Sequence, residues 1–192
     1  TAAIHKAAAV VIGPGLGQEA GAERLLDLVL QEAEKLPELP VVIDADGLNL
    51  LAKKRLYSTL GRQYVLTPHL REMSRLSGKS VQEIADDMTS AVMGQQAGAT
   101  IVLKDARTLV SDGDWLYINL SGNSALSTGG SGDVLSGMIG GLLAQGCTQR
   151  TAATLAVYMH GLTAEQYCES APPHCMLARD ILEMIPKIGG NS

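Results

Sequence analysis

The chain has 192 residues, of which 46% are hydrophobic and 18% charged, enough apolar surface for one packed domain and too much for a mainly disordered protein. Twenty acidic against fifteen basic residues give a net charge of -5, the wrong sign for a protein whose affinity comes from neutralising nucleic-acid phosphates. No apolar run reaches the roughly 18–20 residues of a membrane span. Cys147, Cys168 and Cys175 are odd in number and lack CxxC spacing, so neither a disulfide framework nor a zinc site is expected, and a reducing cytoplasm fits.

Ala7 to Ile12 is a short apolar run stopped by Gly13-Pro14-Gly15-Leu16-Gly17, after which Leu25, Leu26, Val29, Leu30 and Ala33 recur at helical spacing. Val41-Val42-Ile43 ends in Asp44-Ala45-Asp46-Gly47 and leads into a second helical pattern from Leu48 to Ala52. Tyr64-Val65-Leu66 gives way to Thr67-Pro68-His69 and a polar helix with Glu72, Met73 and Leu76. Ser80 and Glu83 make a capping box for one further helix striped by Ile84, Met88 and Val92. Ile101-Val102-Leu103 is a fourth buried-type run, and this repeated alternation predicts an α/β fold with a mostly parallel sheet. Ser111-Asp112-Gly113-Asp114 between two apolar runs predicts a hairpin, hence an antiparallel edge. From Ser131 onward the pattern is helical, through Val134 to Ala144, Ala152 to Glu169 and Ala178 to Ile185. Residues 1–192 read as a single domain.

Ser127-Thr128-Gly129-Gly130-Ser131-Gly132-Asp133 runs directly into a helix, where glycines turn backbone amides towards one point and the helix adds its own free donors: an anion cradle. Asp133 in the first turn suits a base that takes a hydroxyl proton during phosphoryl transfer. The alternative is a flexible turn with Asp133 as a helix cap. Gly137, Gly140 and Gly141 inside the helix suggest close backbone packing. Gly13 to Gly17 reads as either a tight turn or a ligand contact. Asp44 and Asp46 flank a strand end, where α/β sheets place ligands, and could meet Mg²⁺ through water or orient a hydroxyl, although Asp46 reads more simply as a helix cap. His69 could face the same crevice. Lys104 could neutralise phosphate, with an unpaired surface lysine as the default. His160 reads as packing in an Ala- and Leu-rich helix.

Together these residues resemble the ADP- or ATP-dependent NAD(P)H-hydrate dehydratases, a branch of the ribokinase-like superfamily. The match runs in order through residues 13–17, 44–49, 67–73, 103–108, 121–123, 129–133 and 160–161. The resemblance implies a ribokinase-like three-layer α/β/α sandwich. It implies a repair reaction in which a hydroxyl of hydrated NADH or NADPH is phosphorylated by ADP or ATP with Mg²⁺, and phosphate then leaves. Asp133 would be the base and touch the hydrate; Lys104, Asp105, Ala106, Arg107, Thr108, Gly130 and Gly132 would form the nucleotide site; Gly15, His69 and Asn123 would border the hydrate. No protein metal ligand is assigned, and a homo-oligomer is expected.

Two departures stand out. Asp105 occupies a position where the family usually has Gly, and at 4 Å two unit charges repel by about 4 kcal/mol at an effective dielectric of 20. A strand-helix segment that family chains carry ahead of Gly13 has no counterpart, so the domain is expected to be N-terminally incomplete. A small-alcohol or vitamin-precursor kinase, or a catalytically weakened nucleotide-binding module, would use the same cradle.

Overall fold

The computed structural model describes residues 2–94 and 98–188. Each short apolar run becomes a strand: β1 (Val10–Ile12), β2 (Val41–Ile43), β3 (Tyr64–Leu66) and β4 (Thr100–Leu103), followed by β5 (Leu109–Ser111) and β6 (Leu116–Ile118). Among the described residues these form one six-stranded sheet in the order β1-β2-β3-β4-β5-β6, parallel through β4 and antiparallel across the last two pairings. The predicted parallel sheet with an antiparallel edge hairpin is therefore present.

The helices between the parallel strands are α1 (Ala20–Glu34), α2 (Ala45–Lys54), α3 (Leu70–Ser77), α4 (Val81–Asp86) and α5 (Met88–Met93). Every parallel connection steps to the next strand, so crossovers of a single hand put these helices on one face. Strand alternation sorts the core accordingly. Ile43, Leu66, Ile101 and Leu103 pack with α1 to α5. Their neighbours Val42, Val65, Val102 and Val110 pack with α6 (Ser131–Ala144) and α7 (Gln149–Cys168) on the other face. A small third cluster joins α7 to α8 (Ala178–Met184) through Ala164, Met176 and Ile181. The three layers are those of an α/β/α sandwich.

Three local expectations are corrected. The single helix from Ser80 to Val92 is broken at Asp87, whose non-helical backbone and side chain, accepting from the Ser90 amide at 2.9 Å, start a new helix. This is the usual competition between an aspartate side chain and the helical main chain. Asp46 is not the cap of α2. Asp44 holds that position, while Asp46 accepts from the Gly17 amide (3.0 Å) and Gln18 Nε2 (2.9 Å), tying the glycine loop to the β2 turn. Close packing explains Gly140 alone of the three helical glycines: a Cβ there would lie 2.4 Å from Val11 Cγ2, whereas nothing lies within 4 Å of one at Gly137 or Gly141.

Among the described residues no helix is long and apolar enough to cross a membrane.

Candidate functional site

A cleft of about 720 Å³ opens where β2, β3 and β4 end beneath the N-terminus of α6. Parallel strands end there together, so their last side chains meet one helix start. Counting along each strand puts Asp44, Thr67 and Lys104 on the α6 face, the face of Val42, Val65 and Val102.

Asp44 is 1% exposed. Its Oδ1 accepts from Lys104 Nζ at 2.9 Å and from the Ala45 amide at 2.8 Å, and its Oδ2 accepts from Ser136 Oγ at 2.5 Å. A carboxylate this deep persists only when paired and hydrogen-bonded, and all three donors supply that. Lys104 is thus a partnered lysine, not an unpaired surface one. Its backbone amide also donates to the Pro68 carbonyl at 2.8 Å. The chain leaves Asp44 through Ala45 at φ 47, a left-handed conformation that costs a non-glycine residue about 1–2 kcal/mol and turns α2 sharply away from the cleft floor.

The α6 start lies over this pair. Gly130 adopts φ 85 as its N-cap. The Ser131 amide donates to the Thr128 carbonyl (3.3 Å) and the Val134 amide to the Gly130 carbonyl (3.1 Å). That leaves the amides of Gly132 and Asp133, both cleft residues, without an intrahelical acceptor. A Cβ on Gly132 would lie 3.2 Å from Lys104 Nζ, so this glycine is what lets the ammonium approach the helix start. Two free amides, the positive end of α6 and a lysine converge: an anion cradle. Asp133 is exposed to the cleft.

His160, 6% exposed, closes the back of the cleft. Its Nε2 lies 3.1 Å from the Ser131 carbonyl oxygen and 3.2 Å from Ser131 Oγ. A carbonyl can only accept, so Nε2 carries the proton and donates. Burial pushes the imidazole down to about 4; the Ser131 bond opposes that shift and the Lys104 charge adds to it.

His69 lines the cleft and also caps α3: Nδ1 accepts from the amides of Arg71 (3.1 Å) and Glu72 (3.2 Å), and Glu72 Oε2 accepts from the His69 amide at 2.9 Å. Asn123 lines the cleft, but its amide is committed to the fold, with Nδ2 donating to the Ala164 carbonyl (3.1 Å) and Oδ1 accepting from the Ala125 amide (2.9 Å). Asp105, Ala106 and Thr108 line the same cleft. Arg107 and Gly130 neighbour it in sequence without lining it, and Gly15 lies outside its lining, on the loop after β1. In that loop Gly13 fits the tight-turn reading, since a Cβ there would lie 1.8 Å from the Asp44 carbonyl oxygen. Asp105 is exposed, so its repulsion of a phosphate falls towards the aqueous value of about 1 kcal/mol at 4 Å.

The family model described as NAD(P)H-hydrate dehydratase matches residues 1–187. The chain belongs to that family. It is 44% identical over 167 residues to the ADP-dependent (S)-NAD(P)H-hydrate dehydratase of Neisseria meningitidis serogroup B, covering 84% of this chain and 55% of that protein. The ADP/ATP-dependent NAD(P)H-hydrate dehydratase of Bacillus subtilis, co-crystallized with ATP/Mg²⁺, superposes with a TM-score of 0.78 at 31% identity, covering 94% of this chain and 63% of the other. A ribokinase-like superfamily protein of Enterococcus faecalis superposes with a TM-score of 0.82 at 30% identity, covering 96% and 63% of the two chains. The present chain spans about a third to just under two thirds of the length of the curated relatives it matches.

Mg²⁺ fits the residues of this cleft. Asp44, Glu72 and Asp133 are carboxylates that line it, yet among the described residues no group of three or more His, Cys, Asp or Glu is placed to hold a metal. Mg²⁺ keeps much of its water and takes one or two carboxylates plus substrate phosphates, so the donor set suits an ion that arrives with a nucleotide.

Sequence reading missed Ser136, which bonds Asp44 behind the cleft, and Glu72 and His160, which line it. For Ser136 a signal existed, a lone hydroxyl in the apolar stretch from Val134 to Ala144. For His160 the signal was its place at 160–161 in the family match, but its partner Ser131 lies 29 residues away and only the packing of α7 on α6 brings them together.

Proposed function

We propose that this chain carries the nucleotide-dependent dehydration of hydrated NADH or NADPH. The observation that carries the reading is the convergence of Lys104 Nζ, the Gly132 and Asp133 amides and the exposed Asp133 carboxylate on one cleft. The nucleotide supplies the phosphoryl group that turns the hydroxyl of the hydrate into a good leaving group, and Mg²⁺ neutralises charge on the transferring phosphates. Asp133 accepts the hydroxyl proton, and its carboxylate tolerates the cradle because the positive end of α6 stabilises it. The Gly132 and Asp133 amides and Lys104 stabilise the charge that develops on the transferring group. Asp44, itself bonded by Ser136, holds Lys104 in place, and Glu72, which lines the cleft, is the carboxylate that would meet Mg²⁺.

Asp105, Ala106 and Thr108 form the nucleotide wall, with Arg107 and Gly130 shaping it from behind. His69 and Asn123 border the hydrate, and Gly15 would meet it only where the hydrate extends past the cleft lining towards the loop after β1. A homo-oligomer is supported by apolar surface along the open β6 edge, where Ile118 is 46% and Leu120 is 75% exposed beside the stacked Trp115 and Tyr117 rings. A cytoplasmic setting is supported by three free cysteines.

The test is recovery of NADH absorbance from hydrated NADH with ADP or ATP and Mg²⁺. Asp133→Asn is expected to lower the rate about 10²- to 10⁴-fold while calorimetry still detects nucleotide. Full turnover by that variant would reject the assigned base.

A further inference from the structure

Helix α7 grips both walls of the cleft through two adjacent residues. On one side His160 Nε2 donates to Ser131, the first residue of α6 and the one directly before Gly132 and Asp133. On the other, Gly161 meets the loop of residues 119–123 so closely that a Cβ would lie 2.1 Å from Ser121 Oγ and 2.6 Å from the Ser121 carbonyl carbon. Two further bonds fasten that loop to α7: Ser121 Oγ donates to the Tyr158 carbonyl at 2.9 Å, and the Gly122 amide donates to Glu165 Oε1 at 2.7 Å. Ser121, Gly122, Ser131 and Gly132 all line the cleft, so the two surfaces held by α7 face the same space. A single twenty-residue helix therefore sets the distance between them.

We propose that His160 and Gly161 are positioning residues with divided roles, His160 fixing the first turn of α6 and with it Asp133, Gly161 fixing the 119–123 loop and through it the nucleotide wall, since the Asn119 amide donates to the Thr108 carbonyl at 2.9 Å. This rests on the dehydratase reading of the cleft. Neither residue touches the reacting atoms; each acts through the wall it holds. Misplacing a catalytic group by about 1 Å costs on the order of 100-fold in rate, whereas narrowing a binding gap acts first on affinity.

The division predicts opposite kinetic signatures. His160→Ala is expected to lower kcat about 10- to 100-fold and leave the nucleotide KM within about threefold, and His160→Gln, which restores an N–H donor, to recover most of the loss. Gly161→Ala is expected to raise the nucleotide KM about 10-fold or more with kcat within about threefold. Glu165→Gln, which loosens the Gly122 anchor without adding bulk, is expected to move KM in the same direction and serves if Gly161→Ala does not fold. Hydrogen exchange and ADP calorimetry supply readouts independent of turnover: His160→Ala accelerates exchange at residues 131–135, and Gly161→Ala at 120–124 with weaker ADP binding. If the wild-type chain binds ADP without dehydrating the hydrate, the dehydratase reading fails and the division of roles is judged on exchange and ADP affinity alone. Equal changes in kcat and KM for both variants, no rescue by His160→Gln, or exchange that rises equally in both segments would overturn it.

Discussion

Acidification acts on this fold through His160 in a way that can be isolated. The imidazole falls from its ordinary 6.5 to about 4 because it is buried against α6. The folded value lies below the unfolded one, so between them the unfolded chain binds the extra proton and stability rises with pH across that window. Roughly 2.5 pH units at about 1.4 kcal/mol each make about 3 kcal/mol of stability at neutral pH that is lost by pH 4. Urea unfolding of the wild type and His160→Gln at intervals from pH 7.5 to pH 4 measures it. The variant lacks the titrating group and keeps a donor for Ser131, so subtraction removes the other groups that titrate there. The wild type is expected to lose about 3 kcal/mol more than the variant over the interval. Parallel curves would mean that His160 takes up its proton as readily in the folded as in the unfolded chain, and its desolvation against α6 would have to be abandoned as a source of the pH dependence.

Lys104→Ala leaves Asp44, 1% exposed, without its cation, and is expected to cost about 3–5 kcal/mol in denaturant unfolding. Combining it with Asp44→Asn should return part of that loss, since the uncompensated charge goes too; a strictly additive double variant would contradict the pairing. Asp105→Gly is expected to tighten nucleotide binding less than about tenfold by calorimetry, because the exposed carboxylate is screened by water. A hundredfold gain would mean that Asp105 acts in a far drier environment than its exposure implies.

What was legible in the sequence follows from where each signal resides. Val41-Val42-Ile43 and Ile101-Val102-Leu103 are too short and too uniformly apolar for anything but strands buried on both faces, and Asp112-Gly113 supplies a hairpin turn. The glycines before Asp133 announce a helix start able to bind an anion. Asp87 shows the limit at short range, because a helical stripe continued through it while its side chain preferred to cap. Asp46 shows another, since its choice between capping its own helix and holding Gly17 depended on a loop 29 residues away.

Periodicity and turn chemistry are properties of neighbouring residues, so the linear chain alone determined the alternation of strands and helices, the antiparallel edge and the amide-rich start of α6. Tertiary structure decided which strand ends meet. Asp44 and Lys104 are 60 residues apart, and Asp44 and Ser136 are 92 apart. Their union in one desolvated cluster arises only when parallel strands stack in order and α6 closes over them, because a buried charge chooses whichever partner the packing brings within reach.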